Sequence, residues 1–390
     1  MTNQDKLRSS ISISEDFVFG EVSPKPNQLV TVPPPSLGPL AAFVGEWSGS
    51  GFNTIFRPDS PTTPTVLPIP APPGNDNILE LNLTSESLSF SPSLGSIPNR
   101  GMVQADAFLN GIPYLQSIQD VTNPAQPVGI HVEPGLWVIV PPTTNPAEGQ
   151  TLVRMASIPH GTTIQAQGTS TSFSGPPTIP PVSITPFFTV GGAPNPFASQ
   201  TLLTQGTPRI PQDLTTFNAA GTITQNILDD PNTVLRNVIN GQNITATTEI
   251  SIATNPASPL FGGGADNIAF LLGNNNPFPT NVPNAQTLNM TATFWIETVE
   301  VTILVPIFPV LGQPPLTIRG IPKVLGQPVP KFSVTPPTVI REPRRITFTF
   351  TQIQYSQTVM LNFNTLTWPH VSVATLVPAD TIVVPPTVWD

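Results

Sequence analysis

Apolar and polar residues alternate along many short segments of this chain. The alternation is clear in Leu79, Leu81 and Leu83 and again in Val138 and Val140. A period of two is typical of β-strands that bury one face. On this pattern, strands are predicted at residues 43–56, 78–90, 114–121, 129–140, 151–158, 162–171, 244–253, 288–307, 346–362 and 370–377.

One segment has the features of a helix instead. Asp230 is predicted as its N-cap, Pro231 takes the first position and Gly241 ends it. A shorter helical piece is predicted just before it, around Ile227. The 52 prolines and 27 glycines argue against long helices elsewhere, so the predicted fold class is all-β and mainly antiparallel.

The length of 390 residues allows one elaborated domain or two packed ones. The two longest predicted strands, 288–307 and 346–362, fit a barrel wall better than a small sandwich. Between about 175 and 208, a stretch dominated by Pro, Gly, Thr and Phe interrupts the strand rhythm and is predicted to begin an insertion.

Charged residues make up only 9% of the chain, and the formal net charge is −9 with 14 Lys and Arg. This balance argues against nucleic acid or an anionic membrane as a partner, because both attract an excess of cations. The densest basic run, 341–345, has the sequence Arg-Glu-Pro-Arg-Arg and is interpreted as the solvated entrance of a strand.

The chain has no cysteine. This excludes disulfides, thiolate nucleophiles, Cys-ligated zinc, iron–sulfur clusters and Cys-ligated haem. No secretory signal is visible at the N-terminus, and the apolar runs are broken before they reach the length of a membrane span. A soluble, cytoplasmic protein without a membrane span is expected.

Several familiar kinds of catalytic motif are missing or weak. Glu297 and Glu300 point to opposite faces of a predicted strand, so they are interpreted as solvated strand edges and not as an acid/base pair. The glycines at 262–264 have no Walker lysine, and no Gly-x-Ser-x-Gly elbow occurs.

The best single candidate for a site is His370, which follows Trp368-Pro369 at the opening of a period-two apolar run. The proline restricts the backbone there, so the imidazole could be aimed at one point inside a barrel, such as a haem iron. A hydrogen-bonded or solvent-facing histidine is the alternative interpretation.

A series of short motifs in a fixed order resembles the nitrobindins and the related haem-binding domain at the end of certain THAP-type proteins. The motifs are the glycines and tryptophan of Gly45-x-Trp47-x-Gly49-x-Gly51, residues 110–116, the His131-to-Trp137 element, residues 159–164, and Tyr355 followed by Pro369-His370. The resemblance covers about the first 170 and the last 50 residues.

The resemblance implies an up-and-down, lipocalin-like β-barrel of about ten strands that carries a Pro-rich, partly helical insertion. Its predicted parts are an N-terminal arm at 1–36, barrel strands at 37–172, the insertion at 173–285, and the remaining barrel strands and tail at 286–390.

The resemblance also implies haem b as cofactor, with His370 as the iron ligand and an open sixth position for a diatomic gas. Nitric oxide binding or isomerisation of peroxynitrite would follow, and whether the chain is an enzyme stays open. The candidate cofactor-binding residues are His370, Trp47, His131, Trp137 and Tyr355. His131 and His160 are alternative ligands, and the two tryptophans are expected to pack the barrel mouth.

Two other functions remain open on the sequence. One is a non-enzymatic, lipocalin-like carrier of a small apolar molecule. The other is a structural or assembly β-protein that uses its uncharged, Pro-rich surface for contacts, and a homo-oligomer is possible.

Overall fold

Ten antiparallel strands form a closed β-barrel in the computed structural model. The structure describes residues 33–74, 76–158, 160–188, 206–257, 259, 262–274, 282–324 and 326–389. The barrel strands are β1 (Gly45–Pro58), β2 (Asn77–Phe90), β3 (Ala107–Asp120), β4 (Val128–Val140), β5 (Thr151–Ile158), β6 (Thr162–Ser174), β7 (Asn243–Ala253), β8 (Gln286–Val305), β9 (Arg344–Phe363) and β10 (Leu366–Pro378).

The barrel has up-and-down topology, because each barrel strand pairs with the next one along the chain. Pairing of β10 with β1 closes it. The predicted all-β, mainly antiparallel barrel of about ten strands is therefore confirmed. Shorter strands lie at Ile97–Asn99, Thr143–Thr144, Ala147–Glu148, Phe187–Phe188, Arg209–Ile210, Gly264–Asn267, Leu316–Arg319, Lys331–Val334 and Ile382–Val383.

Two glycines allow the barrel to close. A Cβ atom on Gly49 would lie 2.2 Å from the carbonyl oxygen of Thr375, and one on Gly51 would lie 2.0 Å from that of Val373. Any side chain at either position would force β1 away from β10. The Gly-x-Trp-x-Gly-x-Gly motif thus has a structural reason in this chain.

The barrel interior is apolar over much of its length. Buried aromatic rings of Phe43, Trp47, Trp137 and Phe294 pack there with aliphatic side chains from nearly every barrel strand. A 3-10 helix, Gly38–Phe43, delivers Phe43 into this core.

A layer of short helices covers part of the outer barrel wall. The helices are α1 (Thr215–Ala220), α2 (Gln225–Asp229), α3 (Thr233–Ile239) and, beside the barrel mouth, α4 (Ala269–Leu272). Leu228 and Leu235 from α2 and α3 belong to the same outer core as Trp295 and Trp368 from the barrel. The range 173–285 that was assigned to an insertion therefore includes one barrel strand, β7, with α1, α2 and α3 before it and α4 after it.

The predicted helix at 230–241 begins later than expected. Asn232, not Asp230, is the N-cap residue of α3, and the Asp230 carboxylate accepts hydrogen bonds from the backbone N–H groups of Asn232 and Val182. Asp230 therefore ties the preceding loop to the helix start. Gly241 follows the helix with φ +72°, as the prediction of a glycine stop required.

Glu297 is fully buried, so its interpretation as a solvated strand edge was wrong. The helical layer covers its face of β8, and Gln352 donates a hydrogen bond of 2.6 Å to its Oε2. Burial raises the pKa of this carboxyl to about 8. Glu300, three residues later, is partly exposed, as its opposite orientation requires.

Strands β8 and β9 continue past the barrel and pair with each other as far as Val305 and Arg344. Three of the short strands, at 316–319, 331–334 and 382–383, form a separate sheet there. We call residues 301–350 the extension. They share a third apolar core that includes Phe308, Phe332 and Phe348, and the 3-10 helix Pro386–Trp389 packs against it.

Most of the predicted N-terminal arm, residues 1–32, lies outside the described residues, as do residues 189–205 of the Pro-rich segment. No helix in the described ranges is long and apolar enough to cross a membrane.

Candidate functional site

A cavity of about 360 Å³ opens at one end of the barrel. Side chains from eight barrel strands and from α4 line it, and most of the surface that they expose to the cavity is apolar. The three histidines of the chain, His131, His160 and His370, all line this one cavity. We call it the histidine cavity. Three of its described lining residues, Arg57, His160 and Phe270, are exposed and mark the mouth.

His370 lies on β10 and faces the cavity. Its Nε2 is 3.0 Å from Nδ2 of Asn53 on β1, and because an amide nitrogen only donates, Nε2 accepts this hydrogen bond. The same Nδ2 donates to Ser372 Oγ at 2.5 Å, and Asn82 donates to Asn53 Oδ1 at 3.3 Å. These contacts fix the amide orientation and leave the ring proton of a neutral His370 on Nδ1.

Burial lowers the pKa of His370 to about 3, and the charges of His131 and His160 lower it further in the same direction. The imidazole is therefore neutral throughout the physiological pH range. A neutral imidazole is the form that binds a metal or accepts a hydrogen bond.

His131 and His160 form a pair on another part of the cavity wall, with ring centroids 5.8 Å apart. His131 Nε2 lies 3.1 Å from Oε2 of Glu133, two residues along β4 on the same face. Burial, followed by the charge of His131, lowers the pKa of His160. The pair therefore combines one imidazole that is backed by a carboxylate with one whose pKa is lowered.

Glu133 is fully buried and is held ionised by Arg154. Burial alone would raise the pKa of this carboxyl, but the guanidinium lowers it to about 2. Arg154 donates to Glu133 Oε1 at 2.5 Å, to the Tyr114 hydroxyl at 2.8 Å and to Gln357 Oε1 at 2.7 Å. Charge and hydrogen bonds are thus balanced within the group, as a buried ion pair requires.

Tyr355 connects the cavity to a second buried carboxyl. Its ring lines the cavity and stacks on Phe294 at 5.4 Å, while its hydroxyl donates to Glu86 at 2.7 Å. Gln116, also on the cavity wall, donates to the same Oε2 of Glu86 at 3.3 Å. Burial raises the pKa of Glu86 against these hydrogen bonds. A layer of polar side chains therefore separates the histidine cavity from the apolar barrel core.

The two tryptophans among the candidate residues do not line the cavity. Trp47 is buried in the barrel core and donates to the carbonyl oxygen of Phe43 at 2.6 Å. Trp137 packs against Phe43 and Phe294, with centroid distances of 5.8 and 5.3 Å. The structure thus brings together His370, His131 and Tyr355, adds His160, and leaves both tryptophans in the packed interior.

Sequence reasoning missed four polar residues of this region: Asn53, Glu86, Glu133 and Arg154. Only Glu133 had a local signal, because His131 and Glu133 are two residues apart on a predicted strand and so share a face. The cavity-lining partners of the other three are distant in sequence.

A second, more open pocket of about 550 Å³ lies on the barrel surface between β4, β5 and β6. The glycines at 263 and 264 contribute to it, together with Asp266. It has no histidine in its lining. Across the described residues, no group of three or more His, Cys, Asp and Glu side chains is arranged to hold a metal ion.

Comparisons with known proteins give little support for any assignment. No family model matches the chain, and no curated protein matches it. A crystal structure of Rv2717c from M. tuberculosis is similar at 10% identity and a TM-score of 0.31, covering 89% of this chain and 98% of that one. Values this low carry no argument, so a functional assignment has to rest on the residues of the histidine cavity.

Proposed function

We propose that the histidine cavity binds haem b with His370 as the iron ligand. The observation that carries the proposal is the partly buried imidazole of His370, whose pKa is lowered to about 3 and which faces a cavity with a mostly apolar surface. Haem needs one such neutral ligand and apolar walls for the porphyrin. A cluster of several metal-ligating side chains is not required.

The charge of the lining suits a ligand with carboxylates at its edge. Among the described lining residues none is Asp or Glu, and Arg57 at the mouth is the one with a permanent charge. Arg57 forms an exposed ion pair with Glu80 at 2.9 Å. Exchange of that partner for a propionate would cost little, because exposed ion pairs contribute little.

Ligation has to replace one hydrogen bond, that from Asn53 to His370 Nε2. Asn53 keeps Ser372 Oγ as an acceptor when it releases the imidazole, so its amide is not left unpaired. A bound haem would supply an iron with an open position for a diatomic gas, and nitric oxide binding or peroxynitrite isomerisation is the activity we propose. His131, backed by Glu133, lies in the same cavity.

The test is a haem titration followed by absorption spectroscopy. We expect a Soret band in the wild type that His370→Ala abolishes or weakens strongly, while His160→Ala, a matched change in the same cavity, keeps it. Absence of a band in the wild type, or equal bands in both variants, would overturn the assignment of His370.

A haem-free carrier of a small apolar molecule is the second candidate. It is favoured by the volume of about 360 Å³, near the lower limit for ligand pockets, and by the hydrogen bond that His370 already accepts. A hydrophobic fluorescent probe should then bind with or without His370. If haem displaces the bound probe, the two ligands occupy the same cavity.

A further inference from the structure

The extension has a charge opposite to that of the whole chain. Residues 301–350 contain six Lys and Arg and one acidic residue, Glu342, whereas the chain has a net charge of −9. All six cationic side chains are exposed: Arg319, Lys323, Lys331, Arg341, Arg344 and Arg345.

These cations also lack acidic partners within the described part of the chain. Elsewhere Arg57, Arg100, Arg154 and Arg236 each lie within ion-pair distance of a carboxylate. In the extension, Lys323 bonds a backbone carbonyl, and Arg344 lies over the Trp389 ring at 5.5 Å. The described residues give the other four no ion pair, so their charge is available to a partner.

Exposed aliphatic side chains lie at the far end of the extension. Leu304, Ile307, Val310 and Leu311 are each more than half exposed. Exposed apolar side chains are ordinary when scattered, but a contiguous group indicates a contact surface. We call residues 304–311 together with 339–345 the tip.

Apolar and cationic side chains are neighbours in the tip. Leu304 is paired with Arg345 in the β8–β9 register. Phe308 and Ile340 exchange backbone hydrogen bonds of 2.9 and 3.0 Å, which places Ile307 beside Arg341 in the adjoining segments. The tip therefore offers, at one place, aliphatic groups and guanidinium groups that have no ion-pair partner among the described residues.

We propose that the tip docks on an anionic lipid bilayer surface, peripherally and without spanning it. The aliphatic side chains would enter the interfacial layer, and Arg341 and Arg345 would meet lipid phosphates. The net charge of the chain does not oppose this, because at about 0.1 M salt charges more than roughly 10 Å away are screened.

A second copy of the chain is the competing partner, since residues 33–305 carry 16 acidic and five basic side chains. Docking of the tip into another copy needs an apolar site with acidic side chains. The histidine cavity has no acidic lining residue among those described, and the open pocket has one, Asp266. A bilayer needs no matching pocket, so it fits the tip better. The proposal does not depend on haem.

Co-sedimentation of the protein with lipid vesicles tests the proposal that the tip docks on a bilayer. Wild-type protein should bind phosphatidylcholine vesicles that contain about 30% phosphatidylserine, bind pure phosphatidylcholine weakly, and dissociate at high salt. Arg341→Gln with Arg345→Gln should weaken binding roughly 20- to 30-fold, at about fivefold per arginine. Ile307→Ser with Leu311→Ser should weaken it at any salt concentration.

Two controls match these changes. Arg100→Gln removes an exposed arginine of the barrel, and Val66→Ser removes an aliphatic side chain that is 93% exposed outside the extension. Both should bind like the wild type, and circular dichroism should show all variants folded. The proposal is overturned if the wild-type protein does not bind anionic vesicles, or if the tip variants bind them as the wild type does. It is also overturned if the wild type binds no vesicles but forms a salt-sensitive dimer that the tip variants abolish.

Discussion

Nδ2 of Asn53 lies 3.0 Å from Nε2 of His370, across the seam where β1 and β10 close the barrel. Asn53 is 4% exposed and His370 is partly exposed, so the hydrogen bond is partly shielded from water. It occupies the lone pair that an iron would need. Asn53 is therefore a positioning residue that both fixes the imidazole and competes with a ligand for it.

Removal of this amide should make Nε2 of His370 more available. Because such a hydrogen bond contributes about 0.5–1.5 kcal/mol, we expect Asn53→Leu to tighten haem binding about two- to tenfold. Nitrogen-15 NMR of the haem-free protein should show the Nδ1–H tautomer in the wild type and a mixture in the variant. Ser372→Ala is the control, since it leaves the Asn53–His370 contact in place. An unchanged tautomer ratio in Asn53→Leu would falsify the role of Asn53.

The low pKa of His370 predicts a loss of stability on acidification. The folded protein keeps this ring neutral to about pH 3, whereas the unfolded chain takes up a proton near 6.5. Below pH 6.5 the unfolded state thus binds more protons. The free energy of unfolding should fall by up to about 1.4 kcal/mol per pH unit for this one group.

Urea denaturation between pH 6.5 and 5 measures how the free energy of unfolding changes with pH. This window lies above the pH range in which Glu133 titrates. His370→Asn should lose stability less steeply than the wild type, because the opposing slopes of His160, whose pKa is lowered, and of Glu86 and Glu297, whose pKa values are raised, are present in both proteins. The interpretation fails if the two proteins lose stability in parallel.

The buried Arg154–Glu133 pair should show strong coupling. Glu133→Gln leaves a buried guanidinium without its counter-charge and should cost about 3–5 kcal/mol of unfolding free energy. Arg154→Met together with Glu133→Gln should cost clearly less than the sum of the single changes. Denaturant titration of the four proteins gives the coupling energy. Arg100 and Asp106, exposed by 78% and 50%, are the control pair and should couple weakly. If the losses of unfolding free energy from the two single changes simply add in the double variant, the buried Arg154–Glu133 ion pair is contradicted.

Glu297 predicts the opposite pH dependence. Its folded pKa of about 8 lies above the unfolded value of 4.5, so its contribution is fully present below pH 4.5 and is lost as the pH rises through 8. Glu297→Gln keeps a polar partner for Gln352 and should be more stable than the wild type at pH 9 but similar at pH 5. Thermal denaturation at both pH values tests this, with Glu300→Gln as the partly exposed control. If the wild type, Glu297→Gln and Glu300→Gln lose equal stability between pH 5 and pH 9, Glu297 is not the cause of the pH dependence.

Much of the barrel could be predicted from alternation alone. The strand at 151–158 matches β5 to the residue. The turn before His370 was placed too late, because the predicted strand started at His370, after Trp368-Pro369. In fact Asn364 and Thr365, with φ of +48° and +63°, form the turn, and β10 begins at Leu366. On the side that faces β1, described pairing starts only at Val371, so a proline at 369 interrupts no hydrogen bonds there.

The meeting of the three histidines was also within reach of sequence. In an up-and-down barrel, all even-numbered strands start at the same end. His131 lies near the start of β4, His370 near the start of β10, and His160 in the turn that leads from β5 to β6. Asn53 could not be predicted in the same way, because its contact depends on the register across the closing seam.

Strand β9 joins the two ends of the molecule without a break. Arg345 belongs to the tip, and Val359, fourteen residues later, lines the histidine cavity. At about 3.3 Å per residue, roughly 45 Å of paired strand separates them. A protein anchored through the tip would hold the cavity mouth out in the aqueous phase, so its ligand would arrive from water and not from the lipid.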